Sequence, residues 1–213
     1  MFKYPKIPTM WKRDPETKYK TLLEGDWATH EIGYLANLPW VGTEKVDGMN
    51  IRIGWDGQEV KYTGRTDRAE LPEPLLLRLQ ELFPPEKMYE HFQVYDVVLY
   101  GEGYGVKIQK GGGYKPDGQD FILFDAYVYG HVWCGRSDLI QIAQDLGCDL
   151  VPEVFVGTLE EAAALTERGM PSVIADQYGT MSEGLILKPA VELLNPVGER
   201  VITKIKTSDF RGV

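Results

Sequence analysis

Lys45 stands between two carboxylates in the stretch GTEKVDGMN, with Glu44 directly before it and Asp47 two residues after. A lysine amine is a nucleophile only without its extra proton, and its ordinary pKa is about 10.4. Burial and neighbouring cations lower that value, and a neighbouring carboxylate raises it. A reactive Lys45 therefore needs positive charge close by and needs Asp47 aimed elsewhere. Strict alternation would put Asp47 on the face of Lys45, but Gly48 can turn the backbone there. Taken alone, Lys45 reads better as a surface lysine of an ordinary hairpin.

Four other short segments set charge among apolar strand residues: GRTDR (64–68), YGEGYG (100–105), SEGLILKP (182–189) and TKIK (203–206). Alternation sends Leu185 and Leu187 one way and Ile186 and Lys188 the other, and it gives Ile202, Lys204 and Lys206 a common face. Two lysines on one strand face repel unless an anion sits between or above them. The plain alternative is a solvated edge. A further segment, 101–121, holds Lys107, Lys110 and Lys115 among glycines and tyrosines. It reads as a phosphate- or strand-binding loop with rings available for base stacking, or as a solvated loop.

The elements that must position these residues follow from periodicity. Residues 43–54 and 58–64 read as a hairpin turning at Asp56-Gly57. Residues 72–83 read as a helix opened by Pro, with Leu75, Leu76, Leu79 and Leu82 at helical spacing. The chain then reads as a strand up to Tyr100, a Gly-rich loop, and a second β-rich run over 120–130. SDLIQIAQDLG reads as a short helix with Ser137 as N-cap and Gly147 past its end. TLEEAAALTERG carries a Thr158–Glu161 capping box and closes at Gly169. EGLILKP and ERVITKIK read as the last two strands, and residues 1–40 show little periodicity. This is not a regular βαβ alternation, so the expected class is α+β with mainly antiparallel sheets flanked by helices, in one domain.

Composition narrows the function. The 213 residues suffice for a substantial core, and 43% hydrophobic content is that of a folded chain. The formal net charge of −9 argues against a protein that coats nucleic acid non-specifically, though not against a local basic groove. His30, His91 and His131 are far apart in sequence, giving no support for a His-based metal site or triad. Cys134 and Cys148 fit no metal spacing and read as reduced thiols. No apolar run reaches membrane length and no signal-peptide core opens the chain, so the cytoplasm is the expected compartment, with no membrane partner.

Taken together, Lys-x-Asp-Gly early in the chain, Gly-Glu after an aromatic strand, Glu-Gly before an apolar strand ending in Lys, and a closing Lys-x-Lys stand in a familiar order. The chain resembles the covalent nucleotidyltransferase superfamily of polynucleotide ligases and capping enzymes. Glu directly before the lysine in EKVDGMN, FDAY in the middle and the TKIK close look most like the RNA ligase 2 family. The resemblance covers roughly residues 40–210. It implies a nucleotidyltransferase (ATP-grasp-like) fold with the nucleotide between the sheets, and an ATP-dependent RNA ligase working through a lysyl-N-AMP on Lys45.

Residue by residue, the resemblance implies that Glu44 accepts from the adenine amino group, since a carboxylate favours that donor over a guanine O6 edge. Asn50 would lie near the phosphates, Arg65 at the reacting phosphate or ribose, Glu102 on the ribose hydroxyls and Phe124 on the adenine face. Asp125 completes the FD pair without a clear role. Glu183 would help hold Mg²⁺ or Mn²⁺, and Lys204 and Lys206 would hold the triphosphate. Each has a plain alternative: Phe124 as core, Arg65 as a hairpin-end charge, Glu102 and Glu183 as turn residues. RNA is the implied partner, including RNA/DNA hybrid or nicked duplex forms.

The chain departs from the family pattern in two places. Met49 stands where a Thr is usual, removing a hydroxyl contact. The chain also closes seven residues after Lys206. The expectation is therefore a single adenylyltransferase domain over 1–213, with no C-terminal OB-fold or helical domain. Such a domain either grips nucleic acid unaided or adenylylates well and seals poorly alone. The alternatives are a small ATP-dependent DNA ligase, which usually places Glu two residues before the lysine, and a nucleotide-binding module without ligase activity.

Overall fold

The computed structural model describes residues 1–109, 111–128 and 132–210. In chain order its elements are β1 (Trp11–Arg13), β2 (Leu22–Trp27), α1 (His30–Tyr34), β3 (Trp40–Lys45), β4 (Met49–Trp55), β5 (Val60–Thr63), α2 (Glu73–Leu82), α3 (Pro85–Phe92), β6 (Val97–Gly105), β7 (Gln119–Val128), β8 (Val132–Trp133), α4 (Arg136–Leu146), β9 (Asp149–Leu150), β10 (Glu153–Gly157), α5 (Leu159–Arg168), β11 (Gly184–Pro189) and β12 (Thr203–Lys206). This is the α+β class with mainly antiparallel sheets that the sequence pattern predicts.

The chain divides into two compact units, one of Met1–Pro5, Asp47–Val151 and Ala175–Tyr178, the other of Lys6–Val46, Pro152–Ile174 and Gly179–Val213. Each unit is assembled from separate stretches of chain, so no linker marks the division.

In the first unit a sheet runs in the order β5-β4-β6-β7-β8, with β9 alongside β7. One face carries Ile51, Ile53, Leu99, Phe121 and Leu123 into a core shared with Leu75 and Leu79 of α2 and Leu139 and Leu146 of α4. Pro lies in the first turn of α2, where its missing N–H costs nothing, and Leu75, Leu79 and Leu82 form the buried face. α4 starts earlier than expected. Its N-cap is Gly135 rather than Ser137, because the Asp138 carboxylate accepts from the Gly135 N–H at 3.0 Å and so fixes the first turn. Gly147 ends it at φ 64°, as a C-terminal glycine should.

Two further expectations change here. Residues 101–105 form the second half of β6 instead of a Gly-rich loop. Their glycines serve close packing: a Cβ on Gly103 would lie 2.5 Å from Leu75, and one on Gly101 would enter the Phe121 ring. The run 43–54 is two strands in two sheets, because the chain bends at 47–48, where a Cβ on Gly48 would come within 2.8 Å of Glu102. The β4–β5 hairpin itself forms as read.

In the second unit the sheet order is β10-β3-β11-β12, all antiparallel. One face of it, with Trp40, Leu185, Leu187 and Ile205, shares a core with α5 residues Leu159 and Ala162. Thr158 and Glu161 cap α5 reciprocally, as the sequence indicates. The N-terminal stretch, featureless by periodicity, supplies the β1–β2 pair and an extension of the sheet: Met10 N–H donates to the Lys204 carbonyl at 2.9 Å, and Lys204 N–H to that of Pro8 at 3.1 Å. Among the described residues no helix is long and apolar enough to cross a membrane.

Candidate active site

Alternation along β3, β11 and β12 sorts the second unit's charged residues. Lys45 lies opposite Gly184 on β11, and Gly184 lies opposite Lys206 on β12. The next cross-strand row on that face is Thr43, Ile186 and Lys204. Leu185, Leu187 and Ile205 occupy the opposite, core face. Gly184 thus leaves a gap between two lysines. A Cβ there would stand 2.7 Å from the Lys206 Cα, on a backbone with φ +153°.

Glu183 fills this gap. Its carboxylate forms ion pairs with both Lys45 and Lys206. The backbone fixes it on both sides, through Glu183 N–H to the Lys45 carbonyl and Thr207 N–H to the Glu183 carbonyl, each at 3.0 Å. Burial pushes this carboxyl upward, but Lys45 and Lys206 together outweigh burial and hold it below the usual range. Glu183 is therefore the anion between Lys45 and Lys206 across the strands; of the two β12 lysines expected to share an anion, it pairs with Lys206 and not with Lys204.

Lys204 has no such partner among the described residues. Burial, with Lys206 and Lys45 adding repulsion, lowers its ammonium to about 8. Behind it, Asp209 accepts from the Lys206 N–H at 2.9 Å and pairs with Arg13 at 3.0 Å, tying β1 to the end of β12.

Glu44 faces away from Lys45, since adjacent strand residues point to opposite sides. It is 2% exposed. One carboxylate oxygen, Oε2, accepts from the Val173 N–H at 2.9 Å, while Oε1 is buried without a hydrogen-bond partner. Burial raises this carboxyl, and hydrogen bonds from Ser172 and Val173 offset part of the rise. Ser172 and Val173 carry no sequence signal for this role, because they lie far from Glu44 along the chain, Val173 by 129 residues.

In the first unit the second face of the sheet collects polar groups. Asn50 lies opposite Glu102, and Arg52 opposite Tyr100. The β6–β7 register jumps from Tyr100↔Asp125 to Gly101↔Leu123, leaving Phe124 as a bulge. Phe121 and Leu123 face the core before it and Ala126 after it, so the bulge puts Phe124 and Asp125 together on the second face. Phe124 is thus no part of the main core. Asp125 is fully buried and accepts from the Tyr4 hydroxyl at 2.8 Å.

Arg65 is exposed on the loop after β5. The residue that holds this loop is Arg52, which sequence reasoning missed. Arg52 is fully buried, donates from Nε to the Gly64 carbonyl at 2.9 Å and pairs with Asp67 at 2.7 Å. Its signal was a charge at the middle of the apolar alternation NIRIGW.

The lysine-rich segment fares less well. Lys107 is exposed at φ 65°, Lys115 is half-buried 3.9 Å from Asp120, and Lys110 lies outside the described residues. Tyr104 and Tyr114 are 5% and 2% exposed, so these rings are not available for stacking on bases, contrary to expectation. They pack against one another under the loop, with centroids 6.1 Å apart. Among the described residues no group of three His, Cys, Asp or Glu could cage a metal.

A family model described as RNA ligase matches residues 38–206. Solved structures of an RNA ligase from Naegleria gruberi share the fold. A form with ATP and Mn has a TM-score of 0.67 at 18% identity, covering 97% of this chain and 56% of that one. A form with AMP and Mn gives 0.66 at 18%, covering 97% and 58%, and an apo form gives 0.64 at 17%, covering 97% and 57%. The chain therefore spans under two thirds of the length of these structures. No curated protein sequence matches.

Proposed function

Since the chain belongs to the RNA ligase family, we propose that it is an ATP-dependent RNA ligase that carries AMP on Lys45. The supporting observation is the row Lys45–Gly184–Lys206 with Glu183 between the two amines, and Lys204 on the next row. A nucleophilic amine set among cations beside one carboxylate suits attack on a polyanionic triphosphate.

The reaction has three displacements at phosphorus, in which positioning and charge neutralisation supply most of the rate. The unprotonated Lys45 Nζ bonds to the α-phosphorus of ATP, the bond to the β-phosphate oxygen breaks, and pyrophosphate leaves. The amine proton passes to solvent or to a neighbouring base. An RNA 5′-phosphate oxygen then attacks the same phosphorus, freeing Lys45 and giving a 5′-5′ pyrophosphate. A 3′-hydroxyl attacks the RNA phosphorus, AMP leaves and the strand is sealed.

Lys204 and Lys206 hold the phosphates. Glu44 offers the adenine amino group its partnerless Oε1. Glu102 binds the ribose, Phe124 stacks on the base, Arg65 meets the reacting phosphate and Asn50 lies near it. Lys107 and Lys115 contribute cationic contacts to RNA.

Mg²⁺ or Mn²⁺ supplies charge neutralisation of the triphosphate when bound. Glu183 fits such an ion in a limited way. It is a single carboxylate already paired to two ammoniums, which suits a cation held mostly by water and substrate phosphates rather than by a protein cage.

The test is incubation with α-labelled ATP and a divalent metal, followed by denaturation. The wild-type protein retains label and Lys45→Ala retains none. Label from GTP alone would redirect the reading to capping, and absence of label with either nucleotide would refute catalysis. On nicked duplexes, sealing should depend on a terminal 2′-hydroxyl, and equal sealing of all-DNA nicks would replace RNA ligase with DNA ligase.

A further inference from the structure

The role of Asp125 is unexplained by the chemistry above, although the bulge at Phe124 places it on the same sheet face as that ring. Asp125 is fully buried, too enclosed to meet a substrate. Its Oδ2 accepts from the Tyr4 hydroxyl at 2.8 Å. The Tyr4 ring in turn stands against Phe124, with centroids 5.1 Å apart and planes at 80°, a favourable edge-to-face contact. Tyr4 also packs against Tyr100 at 5.0 Å and Trp133 at 5.6 Å.

The segment carrying Tyr4 is itself anchored. Phe2 stacks on Tyr127 at 4.9 Å, and the Tyr100 hydroxyl donates to the Phe2 carbonyl at 3.0 Å. Residues 1–5 belong to the same compact unit as β4, β6 and β7. They lie along the second face of the sheet, and Tyr4 is where that cover meets Phe124. A bulge residue lacks the ladder partner that would fix its direction, so its ring needs support from the side.

We propose that Tyr4 and Asp125 form a positioning pair that holds the Phe124 ring in the orientation needed to stack on the nucleotide base. This rests on the reading of Phe124 as the base-stacking ring. Asp125 orients Tyr4 through its hydroxyl, and Tyr4 braces Phe124. Neither touches the reacting atoms, so their effect falls on nucleotide binding and not on the rate of phosphorus chemistry.

The experiment measures KM for ATP and the rate of covalent labelling at saturating ATP, in the full chain. Tyr4→Phe keeps the ring and its packing and should raise KM about three-fold, while Tyr4→Ala should raise it about ten-fold, each with kcat within about two-fold of wild type. The decisive comparison is a double-mutant cycle with Phe124→Leu. If Tyr4 acts through Phe124, adding Tyr4→Ala to Phe124→Leu changes KM by less than about two-fold. A loss that multiplies in full would overturn the positioning role, as would a Tyr4→Phe variant with unchanged KM. Melting temperatures measured alongside separate this from unfolding, which lowers the active fraction and leaves KM unmoved. A wild-type protein that takes no label from ATP would overturn the ligase reading itself, whereas labelling with a fully multiplicative cycle overturns only the pair.

Discussion

The two sheets expose very different second faces. The four-stranded sheet presents Lys45, Lys204 and Lys206 around one carboxylate, Glu183. The six-stranded sheet presents aromatic rings, Asn50 and the separate carboxylates Glu102 and Asp125, and Arg52, the one fully buried cation among the described residues, is occupied by Gly64 and Asp67. In the first case the charges are left half-buried and ready to meet an anion. In the second they are spent on holding backbone and rings in place. Under the proposed function the contrast would divide the labour in the main. The small sheet would hold and transfer phosphate, with Glu44 reaching the adenine amino group from its other face. The large one would hold the base face and sugar, with Arg65 on its loop at the reacting phosphate.

The largest effect should come from removing the counter-charge of the small sheet. Glu183→Gln leaves Lys45 and Lys206 facing each other across Gly184 with no anion between them. The labelling rate should fall about 100-fold at saturating Mg²⁺, measured as single-turnover formation of the covalent adenylate. An unchanged rate would erase the distinction between the two faces, since Glu183 would then be structural like Arg52. Phe124→Leu serves as the control on the other sheet, where KM rather than kcat should move.

The small sheet was largely legible in the sequence, because its chemistry is written as alternation on short strands. The pattern in GLILKP and TKIK already separates Leu185 and Leu187 from Lys188, and puts Lys204 beside Lys206. The large sheet was less legible, for physical reasons. One extra residue at Phe124 reverses the facing of everything after it, and no periodicity announces a bulge. The glycines of YGEGYG look like a loop because their purpose, close approach by Phe121 and Leu75, is a tertiary fact. Tyr4 and Asp125 meet across 121 residues of chain, and Glu44 and Val173 across 129. Such pairs leave no mark on local sequence.

A second effect sharpens the contrast through pH. In the free protein Lys204 titrates near 8, lowered first by burial and then by Lys206 and Lys45. Its positive charge is therefore lost as pH rises through about 8, and kcat/KM for ATP should decline there. Lys204→Arg keeps the charge and should move that decline to higher pH. Stability runs the other way. The folded pKa lies below the unfolded value of 10.5, so between about 8 and 10.5 the unfolded chain binds more protons at this group. The contribution of Lys204 to stability thus rises with pH across that window. The gap in melting temperature between wild type and Lys204→Met, followed from pH 7.5 to about 10, should shift in favour of wild type. A pH-independent gap would show that Lys204 keeps an ordinary ammonium.

The smallest effect tests whether the large sheet's buried cation is a strut. Arg52 grips the 64–67 loop at Gly64 and Asp67, one contact on either side of Arg65. Asp67 is itself 65% exposed at its side chain, so its pairing is screened by water even though its partner is not. Asp67→Asn keeps a hydrogen-bond acceptor and removes only the charge. It should lower kcat/KM for labelling by less than about five-fold, and the gap between variant and wild type should narrow in high salt, where the wild-type pair is screened. Arg65→Ala should cost more than Asp67→Asn, and the two together should cost little beyond Arg65→Ala alone, because the loop has nothing left to position. Were the losses to multiply, Asp67 would act on its own account. The loop would then carry a second working charge beside Arg65, and the contrast between the two faces would fail.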